Sequence, residues 1–260
     1  MMKMAFSFCI YGENRTYRDG LLANLVTISS LYPSFEKHIY AGCDVSEAYI
    51  EACEAFHSTY VHRLPFTGGR LMSHRFLAID LPEVELMIVR DADSRITDRD
   101  RWCIDDFIAS DFNLFTIRDH KFHYREIMGG LWGMRRIAGF SMREAYEEYA
   151  STSKDIDCYE SDQSFLRKFV YRRYRESLLV YSPTWAFPGE NSRKIGLGRN
   201  GPHDFCGNVI IVDALGERPQ FEADDAFPDD FRRWIRLHKH SKDGMRLKPM
   251  EWLRAVLAGD

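Results

Sequence analysis

The sequence has no C-x-x-C pair: its six cysteines, Cys9, Cys43, Cys53, Cys103, Cys158 and Cys206, are scattered through 260 residues. That excludes a zinc ribbon and a thioredoxin-like redox motif, and leaves reduced, mostly buried thiols as the expectation. No apolar run approaches the roughly 20 residues that a membrane helix needs. The segment from Met1 to Tyr11 is apolar, but Lys3 and Ser7 interrupt it and no small-residue cleavage site follows, so it reads as a first strand and not as a signal peptide. There is no low-complexity tract and no internal repeat. The formal charge is only −4, so no global excess of one sign favours nucleic acid or an anionic membrane as the main partner. Together these absences lead to the expectation of a soluble, cytoplasmic chain without a transmembrane segment and without a nucleic-acid partner.

What is present is an ordinary globular composition, 45% apolar and 14% aromatic, long enough to bury a core around a mixed sheet. One local basic stretch, Arg167 to Arg175, interleaves cations with Phe169, Val170, Tyr171 and Tyr174, and reads as a solvated helix face with its apolar side turned inward.

The run Met4 to Tyr11 suits a buried strand that enters a loop at Gly12. Leu21, Leu22, Leu25, Val26 and Ile28 then recur at helical spacing until Pro33 stops them. Strands at 37–41 and 59–64 bracket a helix at 46–56, and a helix at 71–79 precedes a strand at 85–90. This alternation predicts an α/β fold with a mostly parallel central sheet flanked by helices. Beyond it lie a strand at 112–117, a glycine-studded segment at 128–134, helices at 141–149 and 162–171, and a strand at 178–181. The stretch from Pro183 to Pro202 has no periodicity and reads as a functional loop. A short strand at 209–212 and helices at 231–237 and 249–257 close the chain. The expected division is a catalytic domain over 1–215, with halves 1–115 and 116–215, and a helical tail over 216–260.

In open α/β sheets, ligands sit at the carboxyl ends of the strands, where loops converge on a rigid frame. Leu86-Met87-Ile88-Val89 is the most apolar strand of the chain, and Asp91 and Asp93 follow it directly. Two carboxylates one residue apart can reach a single hard divalent cation, directly or through water. Such an ion can bridge the two phosphates of a nucleoside diphosphate and neutralise the charge that grows on it as it departs. The small Ala92 and Ser94 allow backbone and ligand to come close.

The succession Phe76-Leu77-Ala78-Ile79-Asp80, then Met87 to Arg95 with Arg90-Asp91-Ala92-Asp93-Ser94-Arg95 at its centre, then Ile127-Met128-Gly129-Gly130-Leu131-Trp132-Gly133-Met134-Arg135, resembles GT-A type glycosyltransferases, in particular those of bacteria and large viruses. The likeness spans about residues 3–215. It implies a Rossmann-like single domain that moves a sugar from a nucleotide-diphosphate sugar, a UDP- or GDP-sugar, to a hydroxyl of a glycan or glycoconjugate. It also implies a D-x-D carried by Asp91 and Asp93 and an ion that is Mn²⁺ or Mg²⁺. Tyr11, Gly12 and Arg15 would lie against the nucleotide, and Arg75 would face the nucleotide or its phosphates, where a guanidinium can form two parallel hydrogen bonds. A third metal ligand, commonly a histidine, would come from His203, with His238 and His240 competing for the role. Gly130 would permit close backbone approach and Trp132 would offer a flat face to a sugar. Asp162, at the start of a helix, and Asp119, at the end of the fifth strand, are the candidate bases for the acceptor hydroxyl. A haloacid-dehalogenase-like phosphatase also uses a strand followed by Asp-x-Asp, and a module that binds nucleotide or sugar without turnover is the non-enzymatic alternative.

Overall fold

The computed structural model describes residues 3–154, 156–158, 160–183 and 186–222. The chain opens with β1 (Lys3–Ile10), α1 (Arg15–Leu31), β2 (Glu36–Ala41), α2 (Glu47–Glu54) and β3 (Thr59–Arg63). A segment of 3₁₀ turns (Gly69–Asp80) leads into β4 (Val84–Arg90), followed by α3 (Asp98–Ile108), β5 (Leu114–Ile117), β6 (Leu131–Arg135), α4 (Met142–Thr152) and α5 (Ser161–Phe165). Helix α5 continues through wider π-type turns at Leu166–Tyr171. Then come β7 (Leu178–Tyr181), β8 (Asn191–Arg193) and a hairpin of β9 (Ile210–Asp213) and β10 (Gly216–Pro219).

Eight strands form one sheet in the order β3-β2-β1-β4-β6-β5-β7-β8. All its pairings are parallel except those of β6, which runs antiparallel to both β4 and β5. The expected α/β domain with a mostly parallel sheet flanked by helices is therefore what the chain forms. Strand β4 lies inside the sheet with Leu86 to Val89 buried, which is why its sequence is an unbroken apolar run and not an alternating one.

The two faces of the sheet carry separate cores. Phe6, Phe8 and Ile88 meet Leu21, Leu25 and Ile28 of α1, Ile50 of α2 and Ile104 and Phe107 of α3 on one face. Ala5, Met87, Val89 and Trp132 meet Phe76, Met142, Tyr146 and Phe165 on the other. Asn14 caps α1 by accepting from the Thr16 amide at 2.9 Å, and a reciprocal box between Thr97 and Asp100 starts α3.

Several expectations are corrected here. Position 115 falls inside β5, and both halves lie in the one sheet that the expected single-domain fold implied. The boundary at 215 cuts the β9–β10 hairpin, and residues 216–219 are a strand and not helical tail. The helix expected at 71–79 is present as tighter 3₁₀ turns. Strand β8 sits within the stretch read as a loop at 183–202, and α3 was not foreseen at all. The helices expected at 231–237 and 249–257 lie outside the described residues. Cys9, Cys53, Cys103 and Cys206 are buried, and Cys43 and Cys158 are exposed. Among the described residues, no helix is long and apolar enough to cross a membrane.

Candidate active site

A cavity of about 590 Å³ opens where the carboxyl ends of β1 and β4 meet the glycine segment before β6. Its wall includes Tyr11, Gly12, Asn14 and Tyr17 from the loop and helix after β1. Asp91, Ala92 and Asp93 come from the loop after β4, Arg75 from the 3₁₀ segment, Gly129 and Gly130 from the approach to β6, and Asp162 and Gln163 from α5. Five parts of the sequence thus converge at the strand ends, where such sheets bind ligands.

Arg75 organises the carboxylates. It is buried, one guanidinium nitrogen bonds Asp91 Oδ1, and another donates to Asp162 Oδ2 at 3.0 Å. The Ser7 hydroxyl donates to the Arg75 carbonyl at 2.5 Å and fixes the backbone below it. Burial works against the Arg75 charge, but Asp91 and Asp162 more than offset it, so the guanidinium stays protonated. Burial raises the Asp162 carboxyl above its ordinary range while Arg75 pulls it back, and its Oδ1 accepts from the Gln163 amide at 2.8 Å.

Two glycines make room for these groups. A Cβ on Gly130 would stand 1.9 Å from Asp91 Oδ2, and one on Gly129 would stand 2.6 Å from Asp162 Oδ2. The Asp91–Asp93 loop is pinned from below by α1. A Cβ on Gly20 would meet the Ala92 carbonyl at 2.1 Å, Asn24 Nδ2 donates to the Ser94 carbonyl at 2.7 Å, and the Ile96 amide donates to Asn24 Oδ1 at 3.2 Å. From the C-terminal side, the Ile210 amide donates to the Asp93 carbonyl at 2.9 Å.

Burial first, and then the neighbouring Asp91 carboxylate, push the Asp93 carboxyl above its ordinary value. Asp91 and Asp93 stand one residue apart on the cavity wall, with Arg75 on one oxygen of Asp91. Their all-oxygen donor set suits a hard divalent ion such as Mg²⁺ or Mn²⁺. Among the described residues, no third His, Cys, Asp or Glu joins them in a set that could hold a metal. Among the described residues, Asp91 and Asp93 are therefore the pair that would hold the ion, with other positions open to ligand oxygens and water.

The remaining expected residues divide. Tyr11, Gly12, Arg75, Asp91, Ala92, Asp93, Gly130 and Asp162 all reach the cavity. Gly12 adopts a left-handed backbone (φ 69°), and its amide donates to Asp44 Oδ2 at 3.0 Å. Arg15 does not reach the cavity; it is exposed and pairs with Asp19 one turn along α1. Trp132 is fully enclosed and packs edge-on against Phe76 at 5.2 Å, so it has no face to offer a sugar. Asp119 is sealed: Arg99 grips it with Nε at 2.8 Å and Nη2 at 2.6 Å, and the Cys206 amide donates to it at 3.0 Å. His203 is exposed, bonds the Phe221 carbonyl through Nδ1 at 2.9 Å, and is not part of the cavity wall. His238 and His240 lie outside the described residues. Reading the sequence missed Gly20 and Asn24, although a glycine and an asparagine inside an otherwise apolar helical pattern were the available signal. It also missed His123, which lines the cavity.

No family model matches the chain, and no curated protein matches it in sequence. Among solved structures it is similar to the galactosyltransferase LgtC in complex with donor and acceptor sugar analogues, at 13% identity and TM-score 0.48 over 71% of this chain and 75% of that one. It is also similar to the mannosyltransferase PcManGT of Pyrobaculum calidifontis in complex with GDP-Man and Mn²⁺ (11%, 0.47, 76% and 58%). The 4-diphosphocytidyl-2C-methyl-D-erythritol synthase of Anaerococcus prevotii is similar to the same degree (10%, 0.46, 69% and 87%). Likeness of this extent follows the general course of the chain and is shared by proteins of different chemistry.

Proposed function

We propose that this chain is a metal-dependent, GT-A type glycosyltransferase that moves a sugar from a nucleoside-diphosphate sugar, a UDP- or GDP-sugar, to a hydroxyl of a glycan or glycoconjugate. The observation that carries this reading is the convergence of Asp91, Asp93, Arg75 and Asp162 in one cavity at the carboxyl ends of β1 and β4. Tyr11 and Gly12 line the part of the cavity next to β1, and that part is assigned to the nucleoside. Asp91 and Asp93 would hold Mn²⁺ or Mg²⁺, which when bound offsets negative charge on the departing diphosphate.

The protein's own groups do the rest. Arg75 holds Asp91 and Asp162 in register, so that the carboxylates keep their geometry before a ligand arrives. Asp162 is assigned to the sugar side, where its free lone pairs accept from a hydroxyl and take its proton. Gly129 and Gly130 bring the backbone close enough for ligand and carboxylate to share the space.

The test is thermal unfolding with UDP or GDP, each with and without Mn²⁺. A ligand that binds only the folded state stabilises it by about 2.7 kcal/mol at a hundred times its dissociation constant. One of the two nucleotides, with Mn²⁺, is expected to raise the melting temperature, and Asp93→Ala to abolish the rise. A full response in Asp93→Ala overturns the assignment.

A further inference from the structure

The loop between β5 and β6 places one side chain in the cavity that neither the fold nor the carboxylate network requires. His123 is 7% exposed, its backbone amide donates to the His120 carbonyl at 2.9 Å, and its ring sits edge-on to Phe205 at 6.1 Å. The ring lines the cavity, yet its Nδ1 is buried without a hydrogen-bond partner. A buried polar atom left unpaired is an expense the fold bears for no structural return, and here the atom belongs to a ring on the wall of the ligand cavity.

Its surroundings select what it contacts. Burial first, then His120 and Arg90, hold the imidazole pKa down at about 3, so the ring is neutral at any ordinary pH. The ring packs against Phe205, and the segment that carries Phe205 runs on through Gly207 in the cavity wall to Ile210, whose amide donates to the Asp93 carbonyl at 2.9 Å. The ring therefore sits on the part of the cavity wall that the Asp91–Asp93 loop and the segment after Phe205 form together. A neutral imidazole brings a donor without adding charge. Direct ligation of the ion is not what the geometry favours, because no third His, Cys, Asp or Glu among the described residues groups with Asp91 and Asp93.

We propose that His123 is a positioning residue for the donor's leaving group, an imidazole on the cavity wall that donates a hydrogen bond to the distal phosphate of the nucleoside diphosphate. This rests on the glycosyltransferase reading above. It adds a contact that the sequence did not announce, from a loop that the D-x-D pattern does not include.

The experiment is calorimetric binding to the wild type, His123→Ala and His123→Gln, using UDP and UMP, or GDP and GMP if the guanine nucleotide binds, with Mn²⁺ present. Mn²⁺ binding alone is followed by electron paramagnetic resonance. His123→Ala is expected to weaken the diphosphate about tenfold, the size of one hydrogen bond to a charged group, and the monophosphate less than twofold. His123→Gln, which keeps an N–H donor, should recover most of the loss. Mn²⁺ binding without nucleotide should be unchanged in both. Equal weakening of mono- and diphosphate would overturn the assignment to the distal phosphate, and loss of Mn²⁺ binding would make His123 a metal ligand instead. If the wild type binds diphosphate and His123→Ala binds it equally well, the His123 assignment alone fails. If the wild type binds neither diphosphate, the parent reading fails and takes this one with it.

Discussion

Two buried arginines each hold carboxylates near the ends of strands, and they serve opposite ends. Around Arg99, the Asp119 carboxylate is closed on every side, by two guanidinium bonds and by the Cys206 amide, and it is fully buried. Around Arg75, Asp162 is equally buried but Asp91 is 45% exposed, and two glycines keep space beside both carboxylates. The first cluster is a clamp that ties α3 to the end of β5 and to the chain near Cys206. The second is a similar clamp left open on one side, and the opening is where ligand chemistry can take place.

The contrast predicts where a substitution will register. Asp119→Ala leaves Arg99 buried without its partner, a loss of about 3–5 kcal/mol in stability for a broken internal pair. Chemical denaturation should show that loss, while the folded fraction still binds nucleotide with Mn²⁺ as the wild type does. If nucleotide affinity falls in step, Asp119 belongs to the working site and the contrast collapses. Asp162→Asn should do the reverse. Turnover on the preferred sugar nucleotide should drop about a hundredfold or more, as for loss of an acid–base group, with nucleotide affinity kept within a few-fold. Gly130→Ala drives a methyl group into Asp91, so Mn²⁺-dependent nucleotide binding should weaken at least about tenfold, a loss of about 1.4 kcal/mol. An unchanged titration would mean that the space beside Asp91 is idle.

The smallest effect is on pH. His120, stacked on Phe205 at 4.3 Å, and His123 in the cavity both have pKa values lowered chiefly by burial. Their folded values lie below the unfolded value near 6.5, so the unfolded chain binds more protons in the window between, and stability rises with pH across it. The contribution is intact above 6.5 and is lost as pH falls below it, by just under about 1 kcal/mol per fully buried ring at pH 6. Melting temperatures of the wild type and His123→Gln between pH 7.5 and 5.5 should show the wild type losing stability relative to the variant as pH falls. The raised Asp93 and Asp162 carboxyls, which act in the opposite sense, and His120 are common to both.

The alternation of strands and helices was legible because apolar runs and helical spacings are local properties. The place of Asp91 and Asp93 in the cavity wall was legible because they follow the most apolar strand, and cavities of such sheets open at strand ends. Asp119 read the same way, an acid after a strand beside an arginine, yet its role depends on Arg99 and Cys206, twenty residues before it and eighty-seven after it. Trp132 misled for a related reason: an aromatic beside glycines looks like a binding face, but period-2 geometry on β6 turns it to the core. Helix α3 starts inside the motif's own wake, where Asp98, Asp100, Asp105 and Asp106 mask the inward stripe of Cys103, Ile104 and Phe107. Arg75 came only from family likeness, because nothing in its local sequence announces that it will bridge Asp91 to a residue 87 positions away.

Gly20 gives this architecture a remote adjustment point. It sits on α1, carries no functional group and faces the Ala92 carbonyl across a gap too narrow for one methyl. Any larger residue there would lift the loop that aims Asp91 and Asp93, acting as a shim under the site. In a randomised library selected for metal-dependent turnover, position 20 should therefore stay glycine, or change only together with compensating changes around Ala92.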